Sequence, residues 1–224
     1  MIEFSGVGHR YGERTVLHEV DLRLAEQRVA FVGANGSGKS TLARMVNGLV
    51  RPSSGSVMVD GVDPAQRGGA VRRRVGFVFT DPDSQIVMPT AGEDVAFSLR
   101  RTGVPRHERA AVAAAALTDI GLDGYAEHPA HQLSGGQKQL LALCAVLVTE
   151  PDVLVCDEPT TLLDLRNKRR FTERLAGLRQ QVLLVTHDLD LLGGFDRVVV
   201  LDEGRVAADD APGPAIAHYR KLCA

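Results

Sequence analysis

The sequence predicts an α/β protein whose mostly parallel sheet is interrupted by an inserted helical subdomain. Short apolar runs alternate with helical stretches in the first and last thirds of the 224 residues. This alternation indicates parallel strands with helices covering both faces of the sheet. Between 83 and 150 the pattern is helical. We therefore expect one domain over 1–224, with a core formed by 1–82 and 151–224 and a helical subdomain at 83–150.

The first third of the chain supplies several strands and one helix. Residues 1–30 have strand character, and apolar and charged residues alternate at 20–24, which predicts a half-buried strand. The apolar run at 29–32 does not alternate and predicts a strand buried on both faces. We expect a helix at 40–49 and strands at 56–60 and 75–79, with a connector between these two strands.

The remaining elements follow in the same way. An alanine-rich stretch at 106–117 and a second stretch at 137–148 predict helices. Apolar runs at 153–156, 182–185 and 197–201 predict strands. Helical stretches at 165–178 and 189–195 lie between them, so the strand–helix alternation resumes after the helical subdomain.

Composition and charge narrow the class of protein. The formal net charge of −2 argues against a dedicated nucleic-acid binder, which normally carries a basic surplus. The longest apolar run, at 140–148, is too short to cross a bilayer, and the N-terminus has no signal-peptide pattern. Cys144, Cys156 and Cys223 form no CxxC pair, which indicates a reducing compartment.

A phosphate-binding loop follows the strand at 29–32. The segment fits G-x-x-x-x-G-K-[ST], a pattern whose glycines let backbone N–H groups converge on phosphates ahead of a helix N-terminus. Lys39 is expected to reach the β- and γ-phosphates, and the Ser40 hydroxyl to bind Mg²⁺. The alternative is an ordinary glycine-rich turn. The predicted ATP-binding residues here are Gly33, Ala34, Asn35, Gly36, Ser37, Gly38, Lys39, Ser40 and Thr41.

Two carboxylates follow the strand at 153–156. Asp157 stands where a strand-end carboxylate can hold Mg²⁺, directly or through water. Glu158 is then placed to polarise a water for attack on the γ-phosphate. The alternative is a solvated loop with no catalytic role.

A third motif identifies a family. Ser134, Gly135, Gly136 and Gln137 follow Leu133 and precede a predicted helix, which Ser134 can cap while the glycines expose backbone N–H groups to an anion. The motif resembles the signature of ATP-binding-cassette ATPases. The resemblance implies a P-loop NTPase of RecA-like fold with an N-terminal antiparallel β region. It also implies a head-to-tail dimer, with itself or a paralogous ATPase, in which each ATP lies between one chain's phosphate loop and the other's signature.

The resemblance extends to further single residues. Tyr11 occupies the place of the aromatic residue that stacks on adenine, and Asp164 that of the D-loop aspartate. His187 matches the switch histidine that contacts the γ-phosphate. One position departs from the family, because Thr80 stands where a glutamine normally touches Mg²⁺. Either Thr80 reaches the ion through water or Gln85 takes over the role.

The segments 79–90 and 93–97 resemble the ATPases of energy-coupling-factor importers of vitamins and metal ions. Thr80 and the small size of the chain favour the dedicated biotin-uptake ATPases, with cobalt or nickel uptake as the alternative. The resemblance implies a transmembrane coupling subunit, a substrate-binding membrane subunit and a peripheral location on the cytoplasmic face of the membrane. No nucleic-acid partner is expected.

An apolar patch at 86–89 suits a partner helix, although these residues could instead only pack the subdomain. Two other classes of protein remain as alternatives. One is a soluble cassette ATPase without a transport role, which the absence of coiled-coil insertions and basic linkers disfavours. The other is a module that holds ATP without hydrolysing it, which Lys39, Glu158 and His187 disfavour.

Overall fold

The computed structural model describes residues 1–224, which contain seven α-helices and nine strands. The strands form two sheets. The strands are β1 (Ile2–Tyr11), β2 (Arg14–Leu24), β3 (Arg28–Val32), β4 (Ser54–Val59), β5 (Val75–Val78), β6 (Val153–Asp157), β7 (Gln181–Val185), β8 (Arg197–Asp202) and β9 (Arg205–Asp210). The α-helices are α1 (Lys39–Val46), α2 (Pro64–Val71), α3 (Ala91–Ser98), α4 (Arg109–Asp119), α5 (Gly135–Leu147), α6 (Leu165–Ala176) and α7 (Pro212–Leu222). None of them has the length and apolar character needed to cross a membrane.

The larger sheet has six strands in the order β5-β6-β7-β3-β8-β9. Strand β3 pairs in parallel with β7 and β8, and β6 pairs in parallel with β7. Strands β3 and β6 are buried over their whole length, as their unbroken apolar sequences predict. Parallel pairing brings the carboxyl ends of these strands to one edge of the sheet, where the phosphate loop and Asp157 also lie.

The smaller sheet is antiparallel and has the order β2-β1-β4. It contains the predicted strand at 20–24 and supplies the N-terminal antiparallel region that the family resemblance implies. Strands β1 and β2 are joined by a two-residue turn at Gly12 and Glu13, and their closing pair is Tyr11 and Arg14. This hairpin determines the positions of the Tyr11 and Arg14 side chains.

Most predicted elements are present, and the differences have local causes. Helix α1 ends at Val46, before the expected 49, because Gly48 adopts a left-handed φ of 73° that stops the helix. The connector before β5 contains α2, whose start is marked by Asp63, which caps Ala65 N, and by Pro64 in the first turn. The helical stretch predicted at 189–195 is present as a 3-10 helix, Leu189–Gly194.

The chain divides into two compact units. The first contains 1–76, 152–158 and 179–224, with the antiparallel sheet and most of the larger sheet. The second contains 77–151 and 159–178, with α3, α4, α5 and α6. The segment 159–178 therefore packs with the helices of the second unit, whereas the sequence-based division into 1–82, 83–150 and 151–224 placed it with the core.

Candidate active site

The phosphate loop connects β3 to α1, as the motif requires, and two of its glycines have no substitute. Gly33 has a φ of 147°, and a side chain there would collide with the carbonyl oxygen of Leu201. Gly38 has a φ of 100°, and a Cβ atom would lie 2.6 Å from Cδ2 of Leu17. Both positions combine a left-handed backbone with a close neighbour, so only glycine can build this loop.

Lys39 lies inside the loop with 5% of its surface exposed. Its Nζ donates hydrogen bonds to the carbonyl oxygens of Gly33 and Ala34, at 2.8 and 2.9 Å. Burial lowers the pKa of Lys39, and the negative charges of Glu158 and Asp157 partly offset this effect. The hydroxyl of Ser37 is buried without a hydrogen-bond partner. A polar ligand in the loop would satisfy it, so the loop is suited to hold a phosphate.

Asp157 ends β6 and is fully buried. Its Oδ1 accepts a hydrogen bond of 2.6 Å from the Ser40 hydroxyl, and its Oδ2 accepts two from the Arg44 guanidinium, at 2.9 and 3.2 Å. The structure thus brings together Ser40 and Asp157, two of the residues that the sequence predicts for Mg²⁺. A hydroxyl and a carboxylate are hard oxygen ligands of the kind that Mg²⁺ prefers.

Glu158 has the unusual φ of 51° for a non-glycine residue. Its backbone N–H donates to the carbonyl oxygen of Val185 at 2.9 Å, which ties it to the end of β7. Its Oε2 accepts a hydrogen bond of 2.8 Å from Nδ1 of His187. Left-handed backbone at a side chain that can act as a base is typical of functional sites, where surrounding structure maintains the strain.

A cleft of about 290 Å³ lies against the loop. Among its lining residues are Tyr11, Arg14, Lys39, Ser40 and Glu158. Tyr11 is 52% exposed, and its ring packs edge-on against His9 at 4.5 Å between centroids. An exposed aromatic face at the rim of the cleft is available for stacking on a base.

The signature and the D-loop residue are neighbours within the second unit. Ser134 and Gln137 form a capping box at the start of α5, in which Ser134 Oγ accepts from Gln137 N and Gln137 Oε1 accepts from Ser134 N. The predicted cap is therefore confirmed. Asp164 caps α6 by accepting a hydrogen bond of 2.8 Å from Asn167 N. A side chain at Gly136 would collide with the carboxamide of Asn167.

Gln85, the alternative to Thr80 for the Mg²⁺-sensing role, is held by its own unit. Its Oε1 accepts a hydrogen bond of 3.2 Å from Phe79 N, and its Nε2 donates a long bond of 3.4 Å to Ala142 O. The carbonyl of Phe79 in turn accepts from Gln139 Nε2 at 3.0 Å. These bonds fix the loop that carries Thr80. The metal roles of Thr80 and Gln85 stay predictions.

Sequence reasoning missed three residues in or beside the predicted sites. Arg44 lies four residues after Ser40, a spacing that places both on one face of α1 and could have been found. Arg14 lines the cleft because the hairpin pairs it with Tyr11, a register that the sequence does not show. Asp94 is buried and accepts from Val87 N and Met88 N at 2.9 and 3.1 Å, which shapes the apolar patch at 86–89.

The fold, the phosphate loop and the strand-end carboxylates define a nucleotide-hydrolysing cassette. The family model described as "ABC transporter" matches residues 17–161, so the chain belongs to that family. It therefore binds and hydrolyses ATP, and the predicted family and fold are confirmed.

Relatives with assigned names refine this placement. The chain is 50% identical over 221 residues to a putative ABC transporter ATP-binding protein of Deinococcus radiodurans, covering 99% of this chain and 98% of that one. It is 43% identical over 223 residues to the biotin transport ATP-binding protein of Rhizobium etli, covering 100% and 99%. It is 36% identical over 220 residues to an energy-coupling factor transporter ATP-binding protein of Ligilactobacillus salivarius, covering 95% and 78%.

Solved structures agree with this placement. One is cbiO1 from Clostridium perfringens, part of an ABC transporter complex, with a TM-score of 0.85 and 31% identity over 99% of this chain and 92% of that one. Another is a dimeric ATP-binding cassette in a post-hydrolysis state bound to ADP and Pi, with a TM-score of 0.83 and 29% identity over 95% and 99%.

Proposed function

We propose that this chain is the ATP-hydrolysing subunit of an energy-coupling-factor importer and that the imported substrate is biotin. The proposed substrate rests on the full-length similarity to a biotin transport ATP-binding protein, at 43% identity. The segment 79–90 with its Thr80 supports the same branch. In this proposal, closure and opening of an ATPase dimer drive a transmembrane coupling subunit, and a separate membrane subunit binds the substrate.

The nucleotide chemistry follows from the residues around the phosphate loop. Lys39 and the loop N–H groups bind the phosphates, and Tyr11 stacks on the base. Ser40 and Asp157 would hold Mg²⁺, which supplies charge neutralisation at the phosphates when bound. Glu158 accepts the proton of the attacking water, while the hydrogen bond from His187 orients its carboxylate.

The signature takes part through a second copy of the chain or a paralogous ATPase. A similar cassette forms a dimer with ADP and Pi bound, which supports this assembly. Ser134, Gly135, Gly136 and Gln137 would face the nucleotide of the partner, and Asp164 would lie near the same contact. We place the complex at the cytoplasmic face of the membrane, held there by its membrane subunits.

The apolar patch at 86–89 is the proposed docking site for the transmembrane subunit. Val87 is 64% exposed, and the surrounding groove of about 330 Å³ is also lined by Ile86, Met88, Pro89 and His131. Asp94 holds the backbone of Val87 and Met88 in place. An exposed apolar surface on a prearranged loop suits a helix of a partner.

The test is uptake in cells that lack their own biotin transporter. The chain is co-expressed with a transmembrane coupling subunit and a biotin-binding membrane subunit, and labelled biotin is followed in cells with the native chain or Glu158→Gln. We expect ATP-dependent biotin accumulation in cells with the native chain and none in cells with Glu158→Gln. The 40% identity to a cobalt import ATP-binding protein makes cobalt the second candidate. Accumulation of labelled cobalt without biotin would replace the proposed substrate, and accumulation of neither would contradict both substrates.

A further inference from the structure

Arg14 stands at the wall of the nucleotide cleft, and the hairpin determines its position. Tyr11 and Arg14 are the closing pair of the turn between β1 and β2. Directly opposed residues of an antiparallel pair project their side chains from the same face of the sheet. Both side chains line the cleft beside the phosphate loop.

The guanidinium of Arg14 reaches the loop itself. Its Nη2 lies 3.6 Å from the position that a Cβ atom on Gly36 would take. Gly36 belongs to the loop that binds phosphates, and Lys39 and Ser40 line the same cleft. Arg14 is therefore beside the loop and not merely near the cleft entrance.

No group of the protein accepts a hydrogen bond from the Arg14 guanidinium. Arg14 is exposed, and its side chain makes neither a hydrogen bond nor an ion pair in the structure. The neighbouring Arg10, by contrast, donates to the carbonyl and carboxylate of Glu13, at 3.3 and 3.2 Å, and does not line the cleft. The five N–H donors of Arg14 are thus available to an anionic ligand.

We propose that Arg14 binds the phosphate chain of the nucleotide from the hairpin wall of the cleft, as a second cation beside Lys39. This inference rests on the proposed nucleotide site. Guanidinium–phosphate contacts are charge-assisted and directional, and they require donors that no other group has taken. Arg14 would then discriminate by phosphate charge, whereas Tyr11 would recognise the base of any adenine compound.

The test compares the affinities of AMP-PNP, ADP and adenosine for the native chain, Arg14→Gln, Arg14→Lys and Arg10→Gln. Competition against a fluorescent nucleotide measures all three ligands. For Arg14→Gln we expect affinity for AMP-PNP and ADP to fall about 10-fold, with partial rescue in Arg14→Lys. Adenosine affinity should not change, and Arg10→Gln should bind all three ligands like the native chain.

Lys39→Ala separates failure of this inference from failure of the proposed site. Normal AMP-PNP binding by Arg14→Gln, with loss in Lys39→Ala, would overturn the role of Arg14 and leave the nucleotide site intact. An equal loss for adenosine would mean that Arg14 contacts the base, which also overturns the inference. Normal AMP-PNP binding by both variants would contradict the nucleotide site itself. Melting curves of each variant check that the fold is retained.

Discussion

At the scale of single residues, the buried Asp157 carboxylate organises the centre of the first unit. Its two oxygens accept hydrogen bonds from Ser40 and Arg44 on the same helix. A carboxylate with no solvent contact needs such partners, because an unpaired buried charge is strongly destabilising. The residue predicted to hold Mg²⁺ is thus also a structural link between β6 and α1.

Because Asp157 is buried, substitution of Arg44 should lower the free energy of unfolding. Arg44→Met keeps much of the apolar stem but leaves Oδ2 of Asp157 without its charged donors. We expect the free energy of unfolding to fall by about 2 kcal/mol, the usual range for a charge-assisted hydrogen bond to a buried group. Urea unfolding without nucleotide measures this change. Arg10→Met, which removes the exposed pair with Glu13, is the control, and an equal effect of both substitutions would contradict the prediction.

At the scale of elements, the start of α5 combines a structural and a proposed functional role in Ser134. The capping box explains why a serine precedes the two glycines, even without a nucleotide. Ser134→Ala should lower the free energy of unfolding by about 1 kcal/mol, because one N–H of the first turn loses its acceptor. Ser98 precedes a 3-10 helix without a side-chain cap, so Ser98→Ala should cause no comparable loss in the same urea titration.

A second substitution at Ser134 separates its two roles. Ser134→Asp keeps an efficient cap but adds a negative charge where the partner's triphosphate is proposed to lie. We expect near-native stability together with loss of the ATP-driven dimer, measured by light scattering. A variant that still dimerises with ATP would remove Ser134 from the composite site.

The apolar patch at 86–89 is the other element with a proposed partner. Val87→Asp and Met88→Asp each place a carboxylate in a contact that docking would desolvate. Both should weaken co-purification with the membrane subunits at least 10-fold while leaving ATP affinity unchanged. Leu49→Asp, at an exposed apolar side chain of the first unit, is the matched control. If Val87→Asp and Met88→Asp retain the membrane subunits, the docking surface lies elsewhere.

At the scale of the whole molecule, the three cysteines report on packing throughout the chain. Cys144 and Cys156 are buried, and Cys223 is exposed. Burial raises the pKa of Cys144 to about 12, and it also raises that of Cys156. Because the thiolate is the reactive form, only Cys223 should react with a thiol reagent in the native protein. We expect one equivalent to label rapidly at pH 8 and three in urea. Rapid labelling of more than one native thiol would contradict this packing.

Comparison of the whole fold with the sequence shows which strands and which site residues could be predicted. Strands such as β3 and β6 were predictable because burial on both faces leaves an unbroken apolar run. The loop between β3 and α1 could be recognised because the glycines, lysine and serine of its motif are contiguous in the sequence. Arg14 and Asp94 could not be found in this way. A hairpin register places Arg14 at the cleft, and a loop that folds back on α3 supplies the hydrogen-bond donors of Asp94.

The C-terminal elements β9 and α7 were missed for a physical reason as well. Strand β9 is an edge strand that pairs only with β8, and its sequence ends in small and acidic residues. Such a strand is stabilised by its partner and not by its own apolar face. Helix α7 begins at Pro212 and contains Pro214, so its first turn resembles a loop in sequence, although proline is well tolerated there.

We propose that Glu158 is the base with which this chain hydrolyses ATP. The most direct test is phosphate release by the native chain and by Glu158→Gln, at matched ATP occupancy verified by a binding assay. The amide keeps the shape of the side chain but cannot accept the proton of the attacking water, so we expect equal ATP affinity and phosphate release slowed at least 100-fold. Phosphate release at the native rate by Glu158→Gln would show that Glu158 is not the base.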